Sequence, residues 1–286
     1  MTPGSTTRST PGATPPWEPR ELVLWSALGI AFSASWADLV RHWTSEPWTR
    51  PAALLLALFI AAAARDRRRR EPRRWGYLLV AAGLGLSLIA FGGSLGRLGR
   101  PGIPLGIIGM ARALRRPSLA TSLLALWVIP PPSTLSEALS PGLERGLAWL
   151  AAGAAGALGL PAMLGPRALE IAGATLEIRR MDGGVPLAIY LAGVGWWGAV
   201  HAGGGVRDAL RAAARIAPLG FVAQALLLGL AFALLAARDP NAARAVLDHG
   251  AWSVLALALV WVRPARLDST TAAAAARPRH SGGELP

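Results

Sequence analysis

The chain has 286 residues, is 53% hydrophobic and only 16% charged, carries a formal net charge of +13, and contains no cysteine. Charge that sparse lies well below the roughly 25% of soluble domains, and the mean hydropathy of +0.41 points the same way, against an ordinary water-soluble globule. The missing cysteine excludes disulfides, thiolate metal sites and cysteine nucleophiles together.

Every one of the 29 basic residues is arginine. They gather at the ends of apolar runs, where the positive-inside rule places them. No basic module interleaved with aromatics accompanies them, so nucleic acid is not an expected partner. Apolar runs near spanning length, separated by short Arg-bearing loops, identify a polytopic helical membrane protein whose partner is the lipid bilayer.

Residues 1–20 are rich in Pro, Thr and Ser. They cannot bury a core and are predicted to be disordered. No apolar segment begins early enough for an ordinary signal peptide, so the first run, 21–40, with Trp25, Trp36 and Asp38, reads as a retained anchor. Further spans are predicted at 51–64, 76–95, 101–114 and 118–131, the 101–114 run being short and glycine-rich. Between the second and third lies RDRRRREPRR, with seven Arg in ten residues. A helix end with that charge stays cytoplasmic. The plain reading is a topogenic loop; the functional one is a contact with anionic lipid.

Counting outward from this loop gives a cytoplasmic N-terminus and places the loop beginning Pro130-Pro131-Pro132 outside. Residues 141–160 read as helical and fit an interfacial, re-entrant or spanning segment; Gly146, Gly153 and Gly156 would admit a close neighbour. The period then changes. Leu169, Ile171, Leu176 and Ile178 alternate with Glu170, Glu177 and small residues around Ala172-Gly173-Ala174. That pattern predicts a short β-hairpin, held outside lipid because open strand edges are not tolerated there. Spans at 185–202, 210–236 and 249–262 complete the chain, the last ending at Arg263 and Arg266.

The expected fold is therefore all-α and polytopic, with about eight transmembrane helices and a small extracytoplasmic β-hairpin before the sixth. Its parts are a disordered segment 1–20, a transmembrane domain 21–265 and a disordered cytoplasmic tail 266–286. The expected location is the inner (plasma) membrane, with both termini cytoplasmic.

An ionisable residue at mid-bilayer costs on the order of 2.5–3.5 kcal/mol on insertion scales. Away from the Arg loops such residues are Asp38, Asp182, His201, Arg215, Asp248 and His249. Asp182 stands at the outer entry of one predicted span, Arg215 lies within the next, and His249 opens the last. An acid, a guanidinium and an imidazole from three successive helices match the way bundle sites are built. Plainer roles exist beside this one. His249 or Asp248 can cap the last helix, Arg215 can snorkel, and Trp196, Trp197, Trp252 and Trp261 suit a belt or packing. Four scattered histidines have no metal-ligand spacing, and Gly203-Gly204-Gly205 follows no strand. No metal or cofactor is expected.

Three segments carry a family resemblance. ATLEIRRMDGGVPLAIYL, DALRAAARIAPLGF and AVLDHGAWSVLALALVW follow one another in order, and LLALWVIPPPSTL lies upstream. Together they resemble the exosortase/archaeosortase family of membrane transpeptidases over about residues 35–265. In that family a hairpin-like segment leads into Cys-x-Gly, an Arg follows on the next helix, usually three residues after an Asn, and a His opens the last span. Here Asp182 stands at the Cys position, Gly184 at the Gly, Ala212 where Asn is usual, Arg215 at the Arg and His249 at the His. The resemblance implies a catalytic trio at Asp182, Arg215 and His249, with Gly184 on the substrate side. The implied substrate is the C-terminal tail of an exported protein: a short motif, a hydrophobic span and a basic end.

In such enzymes a thiolate attacks the carbonyl, a His manages the proton and an Arg steadies the oxyanion. A carboxylate is a far weaker nucleophile toward an amide, so Asp182 implies lost transpeptidase activity and a role in pairing with Arg215 or His249. The leading expectation is a member that binds sorting tails without turnover. The alternatives are a divergent membrane hydrolase using Asp182 and His249, and an unrelated transporter or structural membrane protein.

Overall fold

The structure, a computed structural model, describes residues 18–66, 74–93, 99–114, 117–130 and 184–262, with parts of 142–177 between them. The elements are α1 (Pro19–Ala31), α2 (Ser33–Ser45), α3 (Pro51–Arg65), α4 (Trp75–Gly92), α5 (Gly102–Leu114) and α6 (Leu119–Leu123), then β1 (Ala162–Leu164), β2 (Ala168–Ile171) and β3 (Ala174–Glu177), and finally α7 (Val185–His201), α8 (Val206–Ala236) and α9 (Pro240–Val262). Short 3-10 helices follow α2 and α6, at Pro47–Thr49 and Leu124–Val128. Residues 1–17 of the segment expected to be disordered, the C-terminal tail 266–286 and Asp182 lie outside the described residues, while residues 18–20 of that segment are ordered, with Glu18 capping α1 and Pro19 opening it.

Among the described residues three helices are long and apolar enough to cross a membrane: α4 with 18 residues, α8 with 31 and α9 with 23. A fourth is added if α1 and α2, bent by 64°, form one broken span. The other apolar helices are shorter. α5 and α7 are buried along almost their whole length. Their neighbours, rather than lipid, cover their apolar surfaces.

Glycine sets how close the helices come. A side chain on Gly76 of α4 would stand 2.6 Å from the Gly109 carbonyl oxygen of α5, and one on Gly83 would stand 2.6 Å from that of Gly102. The two antiparallel backbones are therefore in contact. α7 and α8 meet in the same way, at Gly195 against Ala212 and at Gly220 against Ala188. Small residues at such crossings let dispersion contacts replace the hydrophobic drive that lipid does not supply.

The same glycines explain the first bend. Phe32, between α1 and α2, is buried, and its ring occupies the space beside Gly83, Gly102 and Gly106. The apolar run 21–40, expected as one helix, is two helices because this ring is anchored in the α4–α5 notch. Two other expected spans also differ. Residues 118–131 form the single-turn α6 and a 3-10 continuation, with the Ser118 hydroxyl capping α6 by accepting from the Thr121 N–H. The last helix starts at Pro240 rather than 249. Asp239 accepts from the Ala242 N–H at 2.9 Å, and Pro240 occupies a first-turn position where its missing N–H is not needed.

β1, β2 and β3 pair in sequence order as an antiparallel sheet, with Met163 opposite Glu170 and Leu169 opposite Leu176. β3 contacts both α8 and α9. Most helices share one core, with Leu39, Leu55, Leu124, Tyr190, Leu191 and Leu255 deeply buried. A smaller core joins Leu228, Phe232 and Leu235 of α8 to Ala243 and Leu247 of α9.

Gly109→Ala forces its methyl group against the Gly76 backbone, whereas nothing lies within 4 Å of a side chain at Gly85. Overpacking of this kind costs about 1–3 kcal/mol. Thermal unfolding in detergent is expected to show a clear fall in Tm for Gly109→Ala and no fall for Gly85→Ala.

Candidate functional site

The bundle has two distinct ends. At one, Arg65 closes α3 and its Nη1 lies 3.4 Å from Nδ1 of His201, which closes α7. His201 also stacks on Trp197, with ring centroids 5.1 Å apart. Val262, the last residue of α9, packs on Gly198, and the Arg112 guanidinium lies 5.2 Å from the centre of the Trp75 ring. Asp66 ties this end together, accepting from the Ser118 N–H at 2.8 Å and the Thr121 hydroxyl at 2.6 Å. The opposite end holds Gly184, Arg100 before α5, and the turn from α8 to α9.

Gly184 precedes α7 with φ +82, in the left-handed region. A side chain there would also meet Gln224 at 3.1 Å and Phe221 at 3.2 Å. Backbone conformation and crowding both demand glycine. This is the position expected on the substrate side. Residues 178–183, Asp182 among them, lie outside the described residues, so the structure relates Asp182 to neither Arg215 nor His249.

Arg215 lies in the third turn of α8 and is exposed, opposite the buried stripe of Ala209, Ala213, Ile216 and Gly220. His249 is exposed too, and it lies inside α9 rather than at its start. Among the described residues neither makes a hydrogen bond or an ion pair. Their heights follow from the helix register. Gly195 meets Ala212, while Gly250 meets Leu227. Arg215 and His249 therefore stand about thirteen residues apart along the bundle, or ~20 Å at 1.5 Å per residue. By the same register His249 is within ~6 Å of the height of Gly184. The structure thus brings His249 and Gly184 to similar heights and leaves Arg215 on the outward face of α8, toward the other end of the bundle. From there Arg215 cannot steady an oxyanion beside His249.

The other ionisable residues are engaged. Asp38 accepts from Arg100 at 2.7 Å in a half-buried pair, next to a Ser35–Ser87 hydroxyl hydrogen bond of 3.0 Å. Asp248 does not cap α9 but pairs with Arg244 one turn earlier at 2.6 Å. A charge removed from water needs such a partner, because breaking a buried pair leaves an uncompensated ion. Gln224 is a buried polar residue that the sequence reading passed over. The available signal was an amide alone in FVAQALLLGLAF, where an apolar helix has no use for one unless it faces a neighbour. No group of three metal-ligating side chains occurs among the described residues.

The cysteine-free chain permits a direct test of these heights. Cysteines introduced as Leu227→Cys with Gly250→Cys are expected to cross-link under mild oxidation, while Arg215→Cys with His249→Cys is expected to stay reduced. A disulfide in the second pair would place both side chains in one pocket. In comparison with known proteins, no family model, no curated protein and no solved structure matches this chain.

Proposed function

We propose that the chain is a multi-pass inner-membrane protein of exosortase/archaeosortase type that binds the C-terminal sorting tails of exported proteins and has lost transpeptidase turnover. One observation carries the reading. The glycine of the Cys-x-Gly-like element, Gly184, caps α7 in a conformation open to glycine and stands near the height of His249. Absence of the thiol and the distant placement of Arg215 favour binding over chemistry. On this reading the bent α1–α2 pair, α3, α4, α5, α6 with its 3-10 continuation, α7, α8 and α9 are the eight passes, and both termini are cytoplasmic. The short passes are viable because neighbouring helices bury them. The hairpin formed by β2 and β3 lies on the outer side.

An incoming hydrophobic tail meets the outward face of α9, where His249 shares its side of the helix with the exposed Trp252 and Val260. Its recognition motif then lies beside Gly184, and its basic end lies toward the cytoplasm.

Co-expression with a tailed exported protein tests the reading. A photo-cross-linker at position 252 is expected to capture the tail uncut, and Asp182→Cys is expected to leave it uncut as well, since Arg215 stands ~20 Å along the bundle from His249. Tail cleavage by the wild-type chain that disappears in Asp182→Ala would replace this reading with a membrane hydrolase using Asp182 and His249. Solute flux into vesicles with neither capture nor cleavage would make the protein a transporter.

A further inference from the structure

Arg207, Arg211 and Arg215 follow at four-residue intervals along one face of α8, and all three are exposed. This arrangement works against the helix. Like charges at i,i+4 repel, and cations near an N-terminus oppose the helix dipole. The only acid among them, Asp208, lies 3.9 Å from Arg211 with both side chains more than half exposed, and its other oxygen accepts from the Gly205 N–H. One weak, hydrated pair leaves most of the stripe's charge uncompensated.

Above the arginines the same face changes character. Leu219, Val222 and Leu226 continue the line, and each is exposed. The face is therefore cationic over its first three turns and apolar over the next three. Helical side chains lean toward the helix N-terminus, so the Arg215 guanidinium approaches the level of Arg211 and away from the apolar part. A charged head followed by ~15 Å of apolar surface has the profile of a phospholipid rather than that of a free anion.

We infer that the outward face of α8 is a binding site for anionic phospholipid. Arg207, Arg211 and Arg215 hold its phosphate, and Leu219, Val222 and Leu226 bear its acyl chain. Arginine suits this role because its planar donors engage phosphate oxygens two at a time. The inference does not depend on the tail-binding reading, which uses the outward face of α9.

The test uses the full chain in nanodiscs of dioleoylphosphatidylcholine containing dioleoylphosphatidylglycerol, with retained lipid counted by native mass spectrometry. Wild type is expected to retain phosphatidylglycerol in preference to phosphatidylcholine. Each of Arg207→Gln, Arg211→Gln and Arg215→Gln is expected to weaken that retention about fivefold, while Arg238→Gln, beyond the far end of α8, leaves it unchanged. Equal retention by the stripe variants, or an equal loss with Arg238→Gln, overturns the site. A second measurement needs no variant. Short-chain phosphatidylglycerol added to wild type in detergent is expected to raise Tm, and inorganic phosphate at the same concentration is not. An equal rise with phosphate would make the stripe a plain anion site and overturn the lipid assignment.

Discussion

Where Gly76 meets Gly109, and Gly83 meets Gly102, no side chain separates α4 from α5. In lipid, apolar helices gain nothing by hiding from their surroundings, so association rests on how many atoms come within dispersion range. Two bare backbones maximise that number. They also leave a notch at Gly83, Gly102 and Gly106, and the Phe32 ring fills it. Filling it bends the chain between α1 and α2. The bend in turn delivers Ser35 and Asp38 to Ser87 and Arg100. One close contact thus determines the path of the first apolar run and the placement of an ion pair.

Charge is distributed unequally between the two ends of the bundle. At the end holding Gly184, the acids Asp38 and Asp248 are each matched to an arginine at short range. At the other end, arginines outnumber their partners on the outward face of α8. The first pattern is what folding requires of ions taken out of water. The second weakens its own helix and is explained by something outside the protein. Arg215 belongs to the second pattern by position and by the direction in which its side chain leans.

Strong, long apolar periodicity was legible. α4 and α8 fall close to where their composition places them. Helix starts set by turn chemistry were less so. The Asp239-Pro240 signal opens α9, yet the residues after it are mostly polar or small, and hydropathy alone starts the helix nine residues late. The bend at Phe32 was not legible, because its cause lies in glycines more than fifty residues away. For the candidate site, the residue types were readable but not the faces they occupy. Arg215 and His249 both sit opposite their helices' buried stripes, and only the register of α7, α8 and α9 shows how far apart they are.

The helices long enough to cross a bilayer are also open on their outer surfaces: 17%, 33% and 11% of the spanning windows of α4, α8 and α9 is buried. The short α5 and α7 are screened by them. At the perimeter, excess helix length is absorbed by tilting. A thicker or thinner host membrane would change the lean of these long outer rods without stretching the screened α5 and α7.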